Sequence, residues 1–213
     1  MNKIINSIII LSLQCIATSY VHAATVYSTG FESGLDSEWS AASPISSHVT
    51  LGNYNGSYTT TGSTTLTLTG LGAHDHILLN FDLYLFNTWD GNATSVGPDY
   101  FSLEGDVTFK ETFTNHRPEG QSYLGLPTET LGSGTTATYI FRNLGPAGDG
   151  DGFMVAHTGS TFSVTFLGPT DQTDEQWGID NVQVSTMSTV PVPSAFWLLG
   201  SGFLGLIRLT RKN

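Results

Sequence analysis

The chain has 213 residues, with 18 acidic side chains against seven basic ones and a single cysteine. The net charge of −11 excludes nucleic acid as a partner, because phosphate contacts need a basic face. Thr, Ser and Gly dominate while Glu and Lys are few, a balance that disfavours helix.

Residues 1–23 have the layout of a secretory signal. Lys3 is its only charge, Ile4 to Ile16 is apolar apart from four polar positions, and Val21-His22-Ala23 fits a small-x-small cleavage site. Cleavage after Ala23 starts the exported chain at Ala24. It also removes Cys15, so no disulfide, thiol nucleophile or thiolate metal site remains. All 18 acidic residues lie in the exported part, against only Lys110, Arg117 and Arg142, which leaves that part near −15. Such acidity suits solubility outside the cell and calcium ligation.

Residues 24–184 have the length of one domain and repeat apolar side chains with period two. The clearest strand is His76 to Phe86, with Ile77, Leu79, Phe81, Leu83 and Leu85 on one face. Thr65–Thr69 and Thr161–Phe166 alternate in the same way. Further strands are expected at 25–27, 57–61, 100–103, 107–113, 137–142 and 152–156. Ile179, Val182 and Val184 predict a last strand with an irregularity near its start. Turn-forming Gly, Asn, Asp and Pro separate them, including Gly52-Asn53-Tyr54-Asn55-Gly56 and the 145–150 segment. Many short strands with such turns predict an all-β, antiparallel β-sandwich. Residues 185–189 (Ser-Thr-Met-Ser-Thr) read as a polar linker.

Two stretches frame this domain: Gly30-Phe31-Glu32-Ser33-Gly34-Leu35, with Trp39 following, and Trp177-Gly178-Ile179-Asp180-Asn181-Val182-Gln183-Val184. Together they resemble the opening and closing strands of jelly-roll carbohydrate-binding modules. The resemblance implies a jelly roll whose first and last strands are neighbours, and a structural calcium held by Glu32 and Asp180. Turn carbonyls such as that of Gly30 would complete a hard-oxygen shell. The alternative is that Glu32 is a surface acid and Asp180 a turn former.

A loop between strands, Trp89 to Phe101, holds Asp90 and Asp99 beside Trp89 and Tyr100. It offers a second calcium site through Asp90 and Asp99, or a sugar platform on Trp89 and Tyr100, since aromatic rings stack on sugar faces. The competing reading is a hairpin loop with Trp89 tucked into the sandwich edge. Trp39 and Trp177 are assigned to the core or its rim. Asp149-Gly150-Asp151-Gly152 lacks the twelfth-position Glu of a calcium loop and reads as an acidic turn, as do Asp171, Asp174 and Glu175. His74 and His76 would share a face on a strand, within reach of a metal, but a solvated strand start is preferred. No Gly-x-Ser-x-Gly elbow, zinc-helix or phosphate-loop motif is present, so no catalytic residue is assigned.

Residues 190–213 combine three features: the turn Val190-Pro191-Val192-Pro193-Ser194, an uncharged stretch at 195–207, and the basic end Arg208, Arg211 and Lys212 within 208–213. The prolines stop helix formation ahead of the apolar stretch. The basic end favours the cytoplasmic side. Thirteen helical residues span about 20 Å, less than a bilayer core of roughly 30 Å, so this is a short anchor suited to a transient membrane stop. The tail resembles the PEP-CTERM class of sorting signals, nearest its VPLPA-type variant, with Val192 for Leu and Ser194 for Ala. That resemblance implies a Gram-negative bacterium and recognition by an exosortase, a membrane-embedded enzyme like a cysteine transpeptidase. Both ends therefore predict an exported protein, anchored in the membrane and then delivered to the cell surface or an exopolysaccharide matrix. A glycan- or calcium-binding or structural role is the expected function. The alternative is a secreted polysaccharide-acting enzyme of glycoside hydrolase or lyase type.

Overall fold

In a computed structural model the structure describes residues 20–40, 43–115, 120–125, 129–131, 136–141, 152–169 and 174–190. In chain order the strands are β1 (Tyr20–Thr29), β2 (Ile45–His48), β3 (Gly52–Thr59), β4 (Ser63–Thr69), β5 (His76–Phe86), β6 (Tyr100–Gly105), β7 (Phe109–Thr112), β8 (Glu129–Leu131), β9 (Thr136–Phe141), β10 (Phe153–Ala156), β11 (Thr161–Leu167) and β12 (Gln176–Val190). No helix occurs among the described residues, and so none there is long and apolar enough to cross a membrane. The predicted anchor at 195–207, most of the sorting motif (Pro191, Val192, Pro193, Ser194), the basic end and the 142–151 acidic turn lie outside the described residues. Ala23–Ser188 form one compact unit.

The chain is all-β, in two antiparallel sheets. The larger runs β2-β3-β12-β5-β9-β8, with β1 paired to β12 and β10 to β5. The smaller runs β4-β11-β6-β7. The alternation read in β5 is realised: Ile77, Leu79, Phe81, Leu83 and Leu85 are all fully buried. They meet Leu66, Leu68, Phe101, Phe162, Val164 and Phe166 of the smaller sheet in one core. Phe81 links the sheets, edge-on to Phe166 with ring centroids 5.2 Å apart and 5.9 Å from Phe101. Trp177 packs edge-on against Phe101 at 5.5 Å, and Trp39 lies 5.8 Å from Phe166, so both tryptophans belong to the core.

The expected irregularity in the last strand is a β-bulge between Asp180 and Gln183. Ile179 and Val182 are three residues apart and would face opposite sides of a regular strand. One extra residue restores the face, and Asn181 absorbs it with a left-handed φ of 49°.

Two expectations are corrected, and two strands are added. Gly52–Gly56 is not a turn but the first half of β3. Gly56 and its partner Gly178 on β12 serve close packing: a Cβ on Gly178 would sit 2.5 Å from the Tyr54 ring, and one on Gly56 2.8 Å. Residues 185–189 are not a linker, because β12 continues through them and Ser185, Thr186 and Met187 pair with Leu78, Ile77 and His76. Finally, β2 and β8 carry no apolar alternation that would have announced them.

Candidate functional site

The loop after β5 is knitted to the segment after β7. Asp99 N donates to Gly91 O at 3.0 Å, Asn92 N to Gly120 O at 2.7 Å, Phe113 N to Asp99 O at 3.1 Å and Asn115 N to Trp89 O at 3.3 Å. Gly91 is required at its position. Its φ is +60°, and a Cβ there would lie 2.1 Å from the Gly120 carbonyl oxygen, which is backbone and has no rotamer to yield. Gly91→Ala is expected to lower stability by about 1–3 kcal/mol, measured by urea unfolding.

Trp89 anchors this loop from inside. It is fully buried, and its indole N–H donates to the Gln176 carbonyl at 3.0 Å. The sugar-platform reading of Trp89 is thereby corrected in favour of the tucked loop, since no ring face reaches solvent. Tyr100 is half-buried, and Lys110 Nζ sits 4.3 Å from its ring centroid, a cation–π contact that occupies one face.

The same anchoring brings Asp90 and Asp99 against Glu175, the residue before β12. One carboxylate oxygen from each lies within 4.8 Å of the others, and all three side chains are buried. The Asp90 amide also donates to Asp99 Oδ2. Glu175 was expected on a solvated acidic turn and is instead 0% exposed. Its only sequence signal is its place two residues before the buried Trp177. Oxygens held 2.3–2.6 Å from a calcium ion can be at most about 5 Å from one another, so the three carboxylates fit one coordination sphere. Their oxygens are hard donors, the kind calcium prefers to nitrogen or sulfur.

A second acidic group surrounds the β12 bulge. Asp180 and Asp82 stand directly opposite on β12 and β5, and both are buried. Tyr84 Oη donates to Asp180 Oδ2 at 3.0 Å, and Asn181 N to Asp180 Oδ1 at 2.6 Å. Asn181 Nδ2 donates to Asp82 Oδ2 at 2.8 Å. Gly30 lies alongside: a Cβ on it would sit 3.7 Å from both Asp180 Oδ1 and Asn181 Oδ1. Glu32, by contrast, is exposed, and its Oε1 accepts from Asn53 N at 3.1 Å. The structure thus places Gly30 beside Asp180, adds Asp82 and Asn181, and commits one Glu32 oxygen to β3.

Burial pushes the Asp180 carboxyl up to about 6, with the charges of Asp82 and Glu32 adding to the rise. A carboxyl raised on folding holds its proton longer in the folded chain. Its contribution to stability is complete below pH 4, near the unfolded value, and is lost as pH rises through about 6. The loss is on the order of 2–3 kcal/mol. In chelator-treated protein Asp180→Asn is expected to flatten that decline, read from melting temperature against pH.

His74 and His76 flank the start of β5. His74 is 6% exposed rather than solvated, and its ring contacts His157.

Fold and site together define an acidic, antiparallel two-sheet domain with buried carboxylate clusters at the approaches to its central strands. No protein-family model matches the chain, and no curated protein matches it. Among solved structures it is similar to the K3 cleaved adhesin domain of Lys-gingipain from Porphyromonas gingivalis W83. The TM-score is 0.41, with 13% identity, covering 76% of this chain and 100% of that one.

Proposed function

We propose that this chain is an exported β-sandwich module with a binding or structural role at the cell surface or in an exopolysaccharide matrix, and that calcium holds its loops in place. The observation that carries the calcium reading is the convergence of Asp90 and Asp99, from the loop after β5, with Glu175, from the segment before β12. Three buried carboxylates repel one another strongly in a medium of low dielectric constant, and a dication bound among them turns that repulsion into attraction. The group formed by Gly30, Asp180 and Asp82, with Glu32 at its edge, is the second donor set. A jelly-roll connectivity accords with β1 lying beside β12. Export rests on the signal pattern at 1–23, and recognition by an exosortase on the 190–213 pattern. The test is made on material secreted by a bacterium expressing the full gene. Retention on an acidic exopolysaccharide that requires calcium, and a C terminus ending near residue 194 by mass spectrometry, are the expected results. Loss of both would reject the reading.

The second reading, a polysaccharide-acting enzyme, is favoured by one observation, the raised Asp180 carboxyl facing Asp82. A carboxyl group raised toward neutrality beside a second carboxyl is the pairing that glycosidic cleavage uses. Release of reducing ends from a glycan, abolished by Asp180→Asn, would establish it. Against it, both carboxyls are buried, which suits an ion better than a polymer.

A further inference from the structure

His74 precedes β5 and His157 follows β10, and their surroundings fix how many hydrogens the two rings carry. His74 Nδ1 lies 2.6 Å from the Gly72 carbonyl oxygen, and His157 Nε2 lies 3.0 Å from that of Thr161. A carbonyl oxygen only accepts, so both nitrogens carry a hydrogen. The two remaining nitrogens, His74 Nε2 and His157 Nδ1, face each other at 2.7 Å. Two neutral rings with their hydrogens turned outward would oppose lone pair to lone pair there. Two imidazolium rings would oppose N–H to N–H. Only one extra hydrogen makes the contact a hydrogen bond.

We infer that His74 and His157 share a single proton, forming a singly charged clamp that ties the β4–β5 turn to the β10–β11 turn. The ring centroids are 5.0 Å apart and the planes 15° from parallel. That separation equals the N···N contact plus a ring radius on each side, so the two nitrogens point along nearly one line. A proton fits on that line, whereas a metal would need two bonds of about 2.0 Å each along it. The charge is compensated from neighbouring elements. Asp106, in the β6–β7 turn, places Oδ2 3.7 Å from His157 Nε2 while accepting from Ser163 N at 2.7 Å. Asp75 adjoins His74, and its backbone oxygen accepts from His157 N at 3.0 Å. His76, at the start of β5, is the other titratable group on this side, and Phe162 closes the ring edge of His157 at 5.8 Å.

The folded pair binds one proton. Two histidines in the unfolded chain, with ordinary values near 6.5, bind two protons in acid and none in base. Stability therefore rises with pH below that value and falls with pH above it, because stability rises with pH only where the unfolded state holds more protons.

The test measures melting temperature against pH, and protons released on unfolding at pH 8, for the full chain and for its His74→Gln and His157→Gln variants. The expected results are a stability advantage over either variant that peaks near pH 6.5, and the release of close to one more proton than either variant. An advantage that does not vary with pH, or equal proton release, overturns the inference. So does a zinc-induced rise in melting temperature that His74→Gln removes, since a metal would then occupy the contact. Should the variants fail to fold, imidazole ¹⁵N resonances of the unaltered chain at pH 7 decide. One hydrogen coupled to both rings supports the shared proton, and two independent neutral rings exclude it.

Discussion

Calcium at about a hundred times its dissociation constant is expected to raise the melting temperature of the full chain by roughly 5–10 °C. This follows from about 2.7 kcal/mol of linkage and about 2–4 °C per kcal/mol for a domain of this size. The source is the convergence of Asp90 and Asp99 in one loop with Glu175 before β12, all three buried. The ion would join the two ends of the loop after β5 to the residue that precedes β12. Asp99→Asn and Glu175→Gln should each abolish most of the shift. Asp36→Asn, at an exposed carboxylate hydrogen-bonded to Tyr27, should leave it unchanged. A shift that survives both buried substitutions would move the ion to the Asp82–Asp180 group.

Trp89→Ala is expected to destabilise the chain by about 3–5 kcal/mol, a fall of roughly 6–20 °C. The indole is fully buried and its N–H is satisfied by the Gln176 carbonyl. Truncation therefore opens a cavity and leaves an unpaired acceptor at the start of β12, one residue from Glu175. A weakened calcium response should accompany the loss, because the same hydrogen bond holds Gln176 against the Asp90 loop. An exposed sugar-stacking tryptophan would behave oppositely, losing glycan affinity with stability intact. Urea unfolding distinguishes the two.

What could be read from the residues follows how locally each feature is encoded. β5 is explicit because every second residue from Ile77 to Leu85 is apolar and the smaller sheet buries that face. The β12 bulge is legible in the odd spacing of Ile179 and Val182. Gly52–Gly56 misleads because Gly and Asn signal turns, whereas here Gly56 and Gly178 make room for the Tyr54 ring, a contact between strands distant in sequence. Residues 185–189 mislead in a similar way: polar Ser and Thr suit a linker, yet they extend the β12 ladder along β5.

The site divides along the same line. Asp90 and Asp99 are visible as two acids within one loop, and Asp180 as an acid beside a strand irregularity. Glu175 and Asp82 were not assigned. Glu175 lies among other acids on what reads as an acidic turn, and its burial beside Asp90 and Asp99 is a contact with a loop distant in sequence. Asp82 sits on the polar face of β5, and only the register opposite Asp180 gives it a role. The His74–His157 contact joins residues 83 positions apart, so no local pattern announces it.

Isothermal titration of calcium into the chelator-treated full chain decides whether the buried carboxylates hold an ion. A saturable binding event is expected that Glu175→Gln removes while the circular dichroism of the sheets is retained. Absence of binding heat up to millimolar calcium from a folded chain, or binding that Glu175→Gln leaves untouched, would contradict that expectation.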